Sequence, residues 1–172
     1  GYTIFAGHDD VMAMRGTGIC MMAESSVQEV MDLAAVVHAT AISCRVPIIN
    51  FFDGFRTSHE LQKIEVIDYE DLRPMLDMEA VEAFRKHAMN PDNPEAVALC
   101  EPAEVYMQHK ESLNRFYDKV PETAEKYMQM IHEITGREYH LFNYTGAPDA
   151  EYVIIAIGSG AQTIEETVRY LN

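Results

Sequence analysis

Pro47-Ile48-Ile49-Asn50-Phe51-Phe52-Asp53-Gly54-Phe55-Arg56-Thr57-Ser58-His59-Glu60 changes character halfway along. Ile48 to Phe52 is a short apolar run of β-branched and aromatic residues, bounded by Pro47 and by Asp53-Gly54. That is the pattern of a strand buried on both faces of a parallel sheet. Asp53, Arg56, Thr57, Ser58, His59 and Glu60 then fall just past the strand's carboxyl end. Open α/β sheets bind ligands at that edge. The same polar run also reads as a plain helix start, with Thr57 or Ser58 capping and Glu60 in the first turn.

Working back towards the amino end, Ile19–Ala23 reads as a second strand. Ser26 followed by Glu29 is a capping box: the hydroxyl takes the Glu29 amide and the carboxylate reaches back. The helix it opens is expected to run to about Cys44. Val27, Val30, Met31, Ala34, Ala35, Val36 and Val37 cover more than one of its faces, so it should be largely buried. Strand, capped helix and strand make a βαβ unit, with parallel strands and a right-handed crossover. Tyr2–Ala6 is expected to be a further strand of that sheet. The polar turn Gly7-His8-Asp9-Asp10 follows it, with Asp9 or Asp10 capping a short helix that Gly16-Thr17-Gly18 breaks.

Working forward, residues 61–147 carry helix and loop signals and hardly any strand signal. Met78–Met89 is acidic at its start and basic near its end, which suits the helix dipole, and Asn90-Pro91-Asp92-Asn93-Pro94 should stop it. Glu104–Tyr117 reads as another helix. A third opens at Pro121 and repeats Ala124, Tyr127, Met128, Ile131 and Ile134 at helical spacing up to Gly136. Tyr139–Tyr144 reads as an edge strand or extended linker. Tyr152–Ile157 reads as a fresh buried strand, Gly158-Ser159-Gly160 as a tight turn, and Gln162–Leu171 as an amphipathic helix with Ile164, Val168 and Leu171 inward.

The chain has 172 residues and a formal charge of −15, enough length for one domain and short for two. A surface this acidic repels nucleic-acid phosphate and anionic membranes, so neither is an expected partner. Leu33–Ile42, the longest apolar run, contains His38 and is too short to span a bilayer. Cys20, Cys44 and Cys100 are widely spaced and form no CxxC pair, which reads as reduced cytoplasmic thiol rather than a metal or cluster signature. Strand patterns that start at once after Gly1 and a last helix that ends at Asn172 lead to the expectation that the chain is an excerpt of a longer polypeptide.

Phe51-Phe52-Asp53-Gly54-Phe55-Arg56-Thr57-Ser58-His59-Glu60 also resembles the signature segment of the pyruvate:ferredoxin (flavodoxin) oxidoreductases, which are thiamine-diphosphate and iron–sulfur enzymes. Gly7-His8-Asp9-Asp10, Arg15-Gly16-Thr17-Gly18, Ser25-Ser26-Val27-Gln28-Glu29, Met89-Asn90-Pro91 and Gly146-Ala147-Pro148-Asp149-Ala150-Glu151 follow in family order, so the likeness covers nearly the whole chain. Gly16 departs from the family pattern, which places a larger polar residue there.

The resemblance implies an α/β fold: a partial parallel sheet of a thiamine-diphosphate-binding, transketolase-like fold, then a helical linker, then the first βα unit of a second α/β domain. On this reading residues 1–60 are the later part of the pyrimidine-side domain, 61–147 the linker, and 148–172 the start of a transketolase C-terminal-like domain. The parent enzyme would oxidatively decarboxylate pyruvate or another 2-oxoacid to an acyl-coenzyme A, passing electrons to ferredoxin or flavodoxin. Thiamine diphosphate, magnesium and iron–sulfur clusters belong to that parent. Its cofactor-activating glutamate, its 2-oxoacid-holding residues, its diphosphate-and-metal site and its cluster cysteines fall outside the matching segment. No cofactor-binding or metal-binding residue is therefore assigned here, no cofactor is expected on this chain, and the chain alone should be inactive.

Six residues are candidates near the cleft, none with an assigned role: His8, Asp9, Arg15, Asp53, Arg56 and His59. His8 could carry a proton and Arg15 could clamp a carboxylate. Alternatively, this stretch is a capped short helix whose Arg15 pairs with Asp10 or a neighbouring acid, and Asp53, Arg56 and His59 could fix the departure of the linker through buried ion pairs. His38, His87, His109, His132 and His140 lack ligand spacing and read as structural. Gly158-Ser159-Gly160 resembles half of a dinucleotide fingerprint but lacks the third glycine, so it reads as a structural turn. Two other classes compete with the enzyme fragment: a non-catalytic packing or dimerisation module, and an independent small-ligand binder using the Gly158 turn. The expected partners are the rest of the parent polypeptide and a second copy of the chain, because unpaired strand edges seek cover.

Overall fold

The computed structural model of the protein describes residues 3–5, 7–94 and 100–171. Its centre is the βαβ unit. Strand β1 is Cys20–Glu24, helix α2 is Val27–Cys44 and strand β2 is Ile48–Phe52, after a short first helix α1, Asp9–Met14. The two strands pair in parallel, with Cys20 opposite Ile48, Met22 opposite Asn50 and Glu24 opposite Phe52. The capping box forms as the spacing predicts: Ser26 Oγ accepts the Glu29 amide at 3.1 Å. The Glu29 carboxylate reaches back one residue further than Ser26, to the Ser25 amide at 2.5 Å. Arg45 ends α2 in the left-handed region, φ +58°.

Among the described residues the sheet has two strands where the sequence pattern predicts three. Of Tyr2–Ala6, Tyr2 and Ala6 lie outside the described residues, and Thr3–Phe5 forms a bend. Local chemistry explains the bend. Thr3 Oγ1 accepts the Phe5 amide and donates to the Phe5 carbonyl, which draws the backbone away from a ladder. The segment is tied instead to the end of β2, where Phe55 donates its amide to the Ile4 carbonyl at 2.5 Å. With no third strand alongside among the described residues, β2 is less buried than its apolar run predicts: Phe51 is buried but Phe52 is exposed.

Past β2, the described residues among 61–147 are helical and irregular, as read from the sequence. Short helices α3 (Phe55–Ser58) and α4 (Tyr69–Leu72) precede α5 (Met78–Lys86), α6 (Ala103–Tyr117) and α7 (Val120–Thr135). Helix α5 stops three residues short of Met89. Asn90 Oδ1 accepts the Asp92 and Asn93 amides, and the Asn93 side chain donates to the Lys86 carbonyl, so this turn terminates the helix early. Tyr139–Tyr144 forms no strand and bends at Leu141 and Phe142. Tyr152–Ile157 also forms no ladder, and Tyr152, Val153, Ile154 and Ile155 are exposed. A parallel strand needs a neighbour, and a single βα unit brings none. The helix after it, α8, is Gly160–Leu171. None of the described helices is long and apolar enough to cross a membrane.

The core lies between α2 and α7, not between sheet layers. Leu33, Val36 and Ala39 of α2 pack with Tyr127, Met128 and Ile131 of α7 and with Met75. Met22 of β1 packs against this cluster. Val36 and Ile131 are fully inaccessible, and each such side chain contributes about 1.5–3 kcal/mol on burial. Residues beyond β2 thus supply about half of this core cluster.

A polar clamp closes one edge of the core. Asp32, on α2 and fully buried, accepts from Arg137 Nε at 2.6 Å, Arg137 Nη2 at 3.1 Å, the Tyr139 hydroxyl at 2.7 Å and Gln28 Nε2 at 3.0 Å. Gln28 in turn holds the Glu65 backbone through both its amide and its carbonyl, and Arg137 Nη1 reaches the Glu65 carboxylate at 2.6 Å. Asp32 raises the Arg137 pKa, and burial together with Asp32 raises that of Tyr139. Arg137→Ala should cost about 3–5 kcal/mol, since it strands a buried carboxylate. Tyr139→Phe should cost only about 1–2 kcal/mol. Urea unfolding of the three proteins checks this order, and equal losses would contradict it.

Candidate functional site

The carboxyl ends of β1 and β2 form the edge at which such sheets present ligand-binding groups, and two buried carboxylates stand there. Asp53 follows β2 directly and is 1% exposed; Glu24 is the last residue of β1 and fully inaccessible. They fall on opposite faces by the period-two rule. Glu24 shares a face with Met22, under the helical core, whereas Asp53 shares one with Phe51.

Asp53 is fully engaged. His8 Nε2 lies 2.6 Å from its Oδ1, and the Ser159 amide donates to its Oδ2 at 2.6 Å. The His8 and Phe51 rings pack edge to face, with centroids 5.5 Å apart at 77°. Burial pushes the Asp53 carboxyl up, but Ser159, through its side chain and its amide, and then His8 outweigh this and leave its pKa below the ordinary value. An ionised Asp53 takes its hydrogen bond from a protonated Nε2, so in neutral His8 it is Nδ1 that keeps the free lone pair.

Of the six candidates, the structure therefore joins two, His8 and Asp53. His59 lies apart, stacked on Phe55 at 5.1 Å, with its Nδ1 2.7 Å from Ser58 Oγ. Ile4, Gly54, Phe55, Ser58 and His59 line a shallow hollow there. Asp9, Arg15 and Arg56 are exposed and make no ion pair among the described residues. The pairing of Arg15 with Asp10 does not form: Asp10 Oδ1 accepts the Val11 amide at 2.7 Å. Among the other histidines, His109 bonds to Glu101 and His140 lies between Glu125 and Glu138, local contacts that suit structural roles.

Two features escape a reading of the sequence. The Gly158 turn does bind an anion through its Ser159 amide, but the anion is the chain's own Asp53. The spacing of 106 residues gave no signal of this contact. Glu24 ends an apolar run just before a helix cap, where an acidic residue is normally solvated. In the structure neither of its carboxylate oxygens has a hydrogen-bond partner among the described residues, and Asn50 Oδ1 is likewise unpartnered. Burial pushes the Glu24 pKa up to about 7; the neighbouring Asn50 side chain offsets part of the rise and Glu29 adds to it.

Comparison with known proteins agrees with the resemblance read from the motifs. A family model described as pyruvate flavodoxin/ferredoxin oxidoreductase, thiamine diphosphate-binding, matches residues 1–129. The chain is 59% identical over 98% of its length to a pyruvate-flavodoxin oxidoreductase of Enterobacter agglomerans, 55% identical over 98% to one of Klebsiella pneumoniae, and 50% identical over 98% to a pyruvate:ferredoxin oxidoreductase of Moorella thermoacetica. It spans 14% of the length of each of these relatives.

The two carboxylates should respond differently to pH. A carboxyl whose pKa is raised in the folded state stabilises the fold below its unfolded value, and this contribution is lost as pH rises through the folded value. For Glu24 the window runs from its ordinary 4.5 to about 7. One pKa unit is about 1.4 kcal/mol, so the loss across this window is about 3 kcal/mol for the inaccessible carboxylate. Glu24→Gln should remove it, stabilising the chain above pH 7 and flattening stability between pH 4.5 and 7. Chemical denaturation across that range reads the effect, and an unchanged slope would contradict a neutral Glu24.

Proposed function

Since the chain belongs to the family of pyruvate flavodoxin/ferredoxin oxidoreductases, we propose that it is one wall of the thiamine-diphosphate cleft of a longer 2-oxoacid oxidoreductase. The parent would decarboxylate pyruvate, or another 2-oxoacid, and pass the acyl group to coenzyme A and the electrons to ferredoxin or flavodoxin. When bound, thiamine diphosphate supplies the carbanion chemistry. The observation that carries the reading is the buried Asp53–His8 pair at the carboxyl end of a parallel strand pair. His8, held through Nε2, would present Nδ1 as a proton carrier at the cleft wall.

The diphosphate-and-metal half of such a site does not fit these residues. The Gly158 turn at the start of α8 is the natural cradle for a phosphate, and Asp53 already fills it. A second anion would meet a buried carboxylate there. That also weighs against the chain as an independent binder of small anionic ligands at this turn. The cofactor's anionic end, its magnesium and the iron–sulfur clusters are assigned to other parts of the parent. Residues 1–60, 61–147 and 148–172 serve as the later pyrimidine-side domain, its linker and the opening of the next domain, within a cytoplasmic parent.

A packing or dimerisation role is a second reading, favoured by the exposed apolar run Tyr152–Ile155. A fragment with that run uncovered should self-associate as a homo-oligomer, which sedimentation over a concentration series would show.

Calorimetry with thiamine diphosphate and magnesium should find binding to this chain no tighter than about 1 mM, some 4 kcal/mol at most. Micromolar affinity would overturn the partial-wall reading. In the full-length parent, His8→Gln should lower pyruvate-dependent, coenzyme A-dependent acceptor reduction by about 100-fold with cofactor binding retained. Undiminished turnover would remove His8 from the chemistry.

A further inference from the structure

Asp53 is bonded from two distant parts of the chain. His8 reaches Oδ1 from 45 residues before it, and the Ser159 amide reaches Oδ2 from 106 residues after it. The carboxylate is 1% exposed, so water cannot replace either donor without opening the site. Gly158 fits the contact closely. Its φ is +72°, and a Cβ added there would lie 2.4 Å from Asp53 Oδ1, the same oxygen that His8 holds. A side chain at Gly158 would be strained in its backbone and would press on the atom that orients the imidazole. Neither Gly158 nor Ser159 hydrogen-bonds to His8.

We propose that Asp53 is a positioning residue through which the Gly158–Gly160 turn sets the tautomer and orientation of His8. With the turn seated, Oδ2 is satisfied by the amide of Ser159, the residue just before α8, where the helix dipole favours negative charge. Oδ1 is then free to hold His8 Nε2–H, and Nδ1 keeps its lone pair. With the turn displaced, a buried Oδ2 lacks a donor, and the carboxylate turns to satisfy it at the expense of His8. The imidazole is 17% exposed, so a change of tautomer changes the group it can offer at the strand-end edge. The terminal unit thereby acts on His8 without touching it. The coupling is a property of the chain's own geometry and holds whatever reaction His8 serves in the parent.

The test is long-range nitrogen–proton NMR of the 172-residue chain with labelled histidine. In the wild type above the imidazole titration, His8 should be protonated at Nε2 and bare at Nδ1. Gly158→Ala should lower the ratio of Nε2–H to Nδ1–H tautomer by about tenfold or more, the worth of one hydrogen bond to a charged group. The amides of α2 and α7 should keep their shifts. Asp53→Asn should move the His8 ring nitrogens and the Ser159 amide proton together, which decides the matter if Gly158→Ala does not fold. A wild-type His8 protonated at Nδ1 overturns the proposal, as does a folded Gly158→Ala with His8 unchanged. A response to Asp53→Asn confined to one of the two donors does so as well. None of these readouts depends on cofactor binding or turnover, so failure here is distinct from failure of the cleft-wall reading.

Discussion

A single carboxylate, Asp32, decides whether this chain is one body or two. Placed on α2 and fully buried, it is acceptable there only because donors from two separated segments converge on it: Gln28 from its own helix, and Arg137 and Tyr139 from just past α7. A buried ionised group without such partners costs several kcal/mol. The clamp therefore makes the docking of α7 onto α2 a condition of burying Asp32 at all. The apolar contacts of Val36 with the Ile131 layer supply most of the energy. The clamp supplies register, because Arg137 bonds both carboxylate oxygens in a fork.

With α2 held in this way, the rest of the site follows from the connection rules. Its capped start fixes the end of β1, and its left-handed end at Arg45 returns the chain to begin β2 alongside. The carboxyl ends of both strands then share one edge, where Asp53 gathers His8 and Ser159. Two buried acids at one edge have opposite electrostatic outcomes. Asp53, with donors on both oxygens, has its pKa lowered, whereas Glu24, with none among the described residues, has its pKa raised. Environment, not residue type, assigns the charge.

What the sequence made legible was local. The capping box at Ser26, the boundaries of β2, the stop at Gly136 and the helical period of α7 are short-range patterns, and each is realised within a residue or two. The family motifs were equally legible, since they are contiguous. Contacts that span long separations were not: Asp32 with Arg137 across 105 residues, and Asp53 with Ser159 across 106. Thr3–Phe5 and Tyr152–Ile157 both carry strand composition, yet strand state depends on a partner that composition does not reveal. Of the six candidate residues, the two brought together lie on opposite sides of the βαβ unit in sequence. The exposed Asp9, Arg15 and Arg56 had looked equally chemical on paper.

The central claim is that α2 and α7 form one cooperative unit locked by Asp32, so that α7 belongs to the same folding unit as the βαβ unit. Native-state hydrogen exchange tests it most directly. Amides in the middle of α2 and of α7 should open with the same free energy, within about 1 kcal/mol, and with the same denaturant dependence, as members of one folding unit do. If α7 exchanges through its own lower-energy opening while α2 and the paired strands stay protected, the helices are separate units and Asp32 is not the lock.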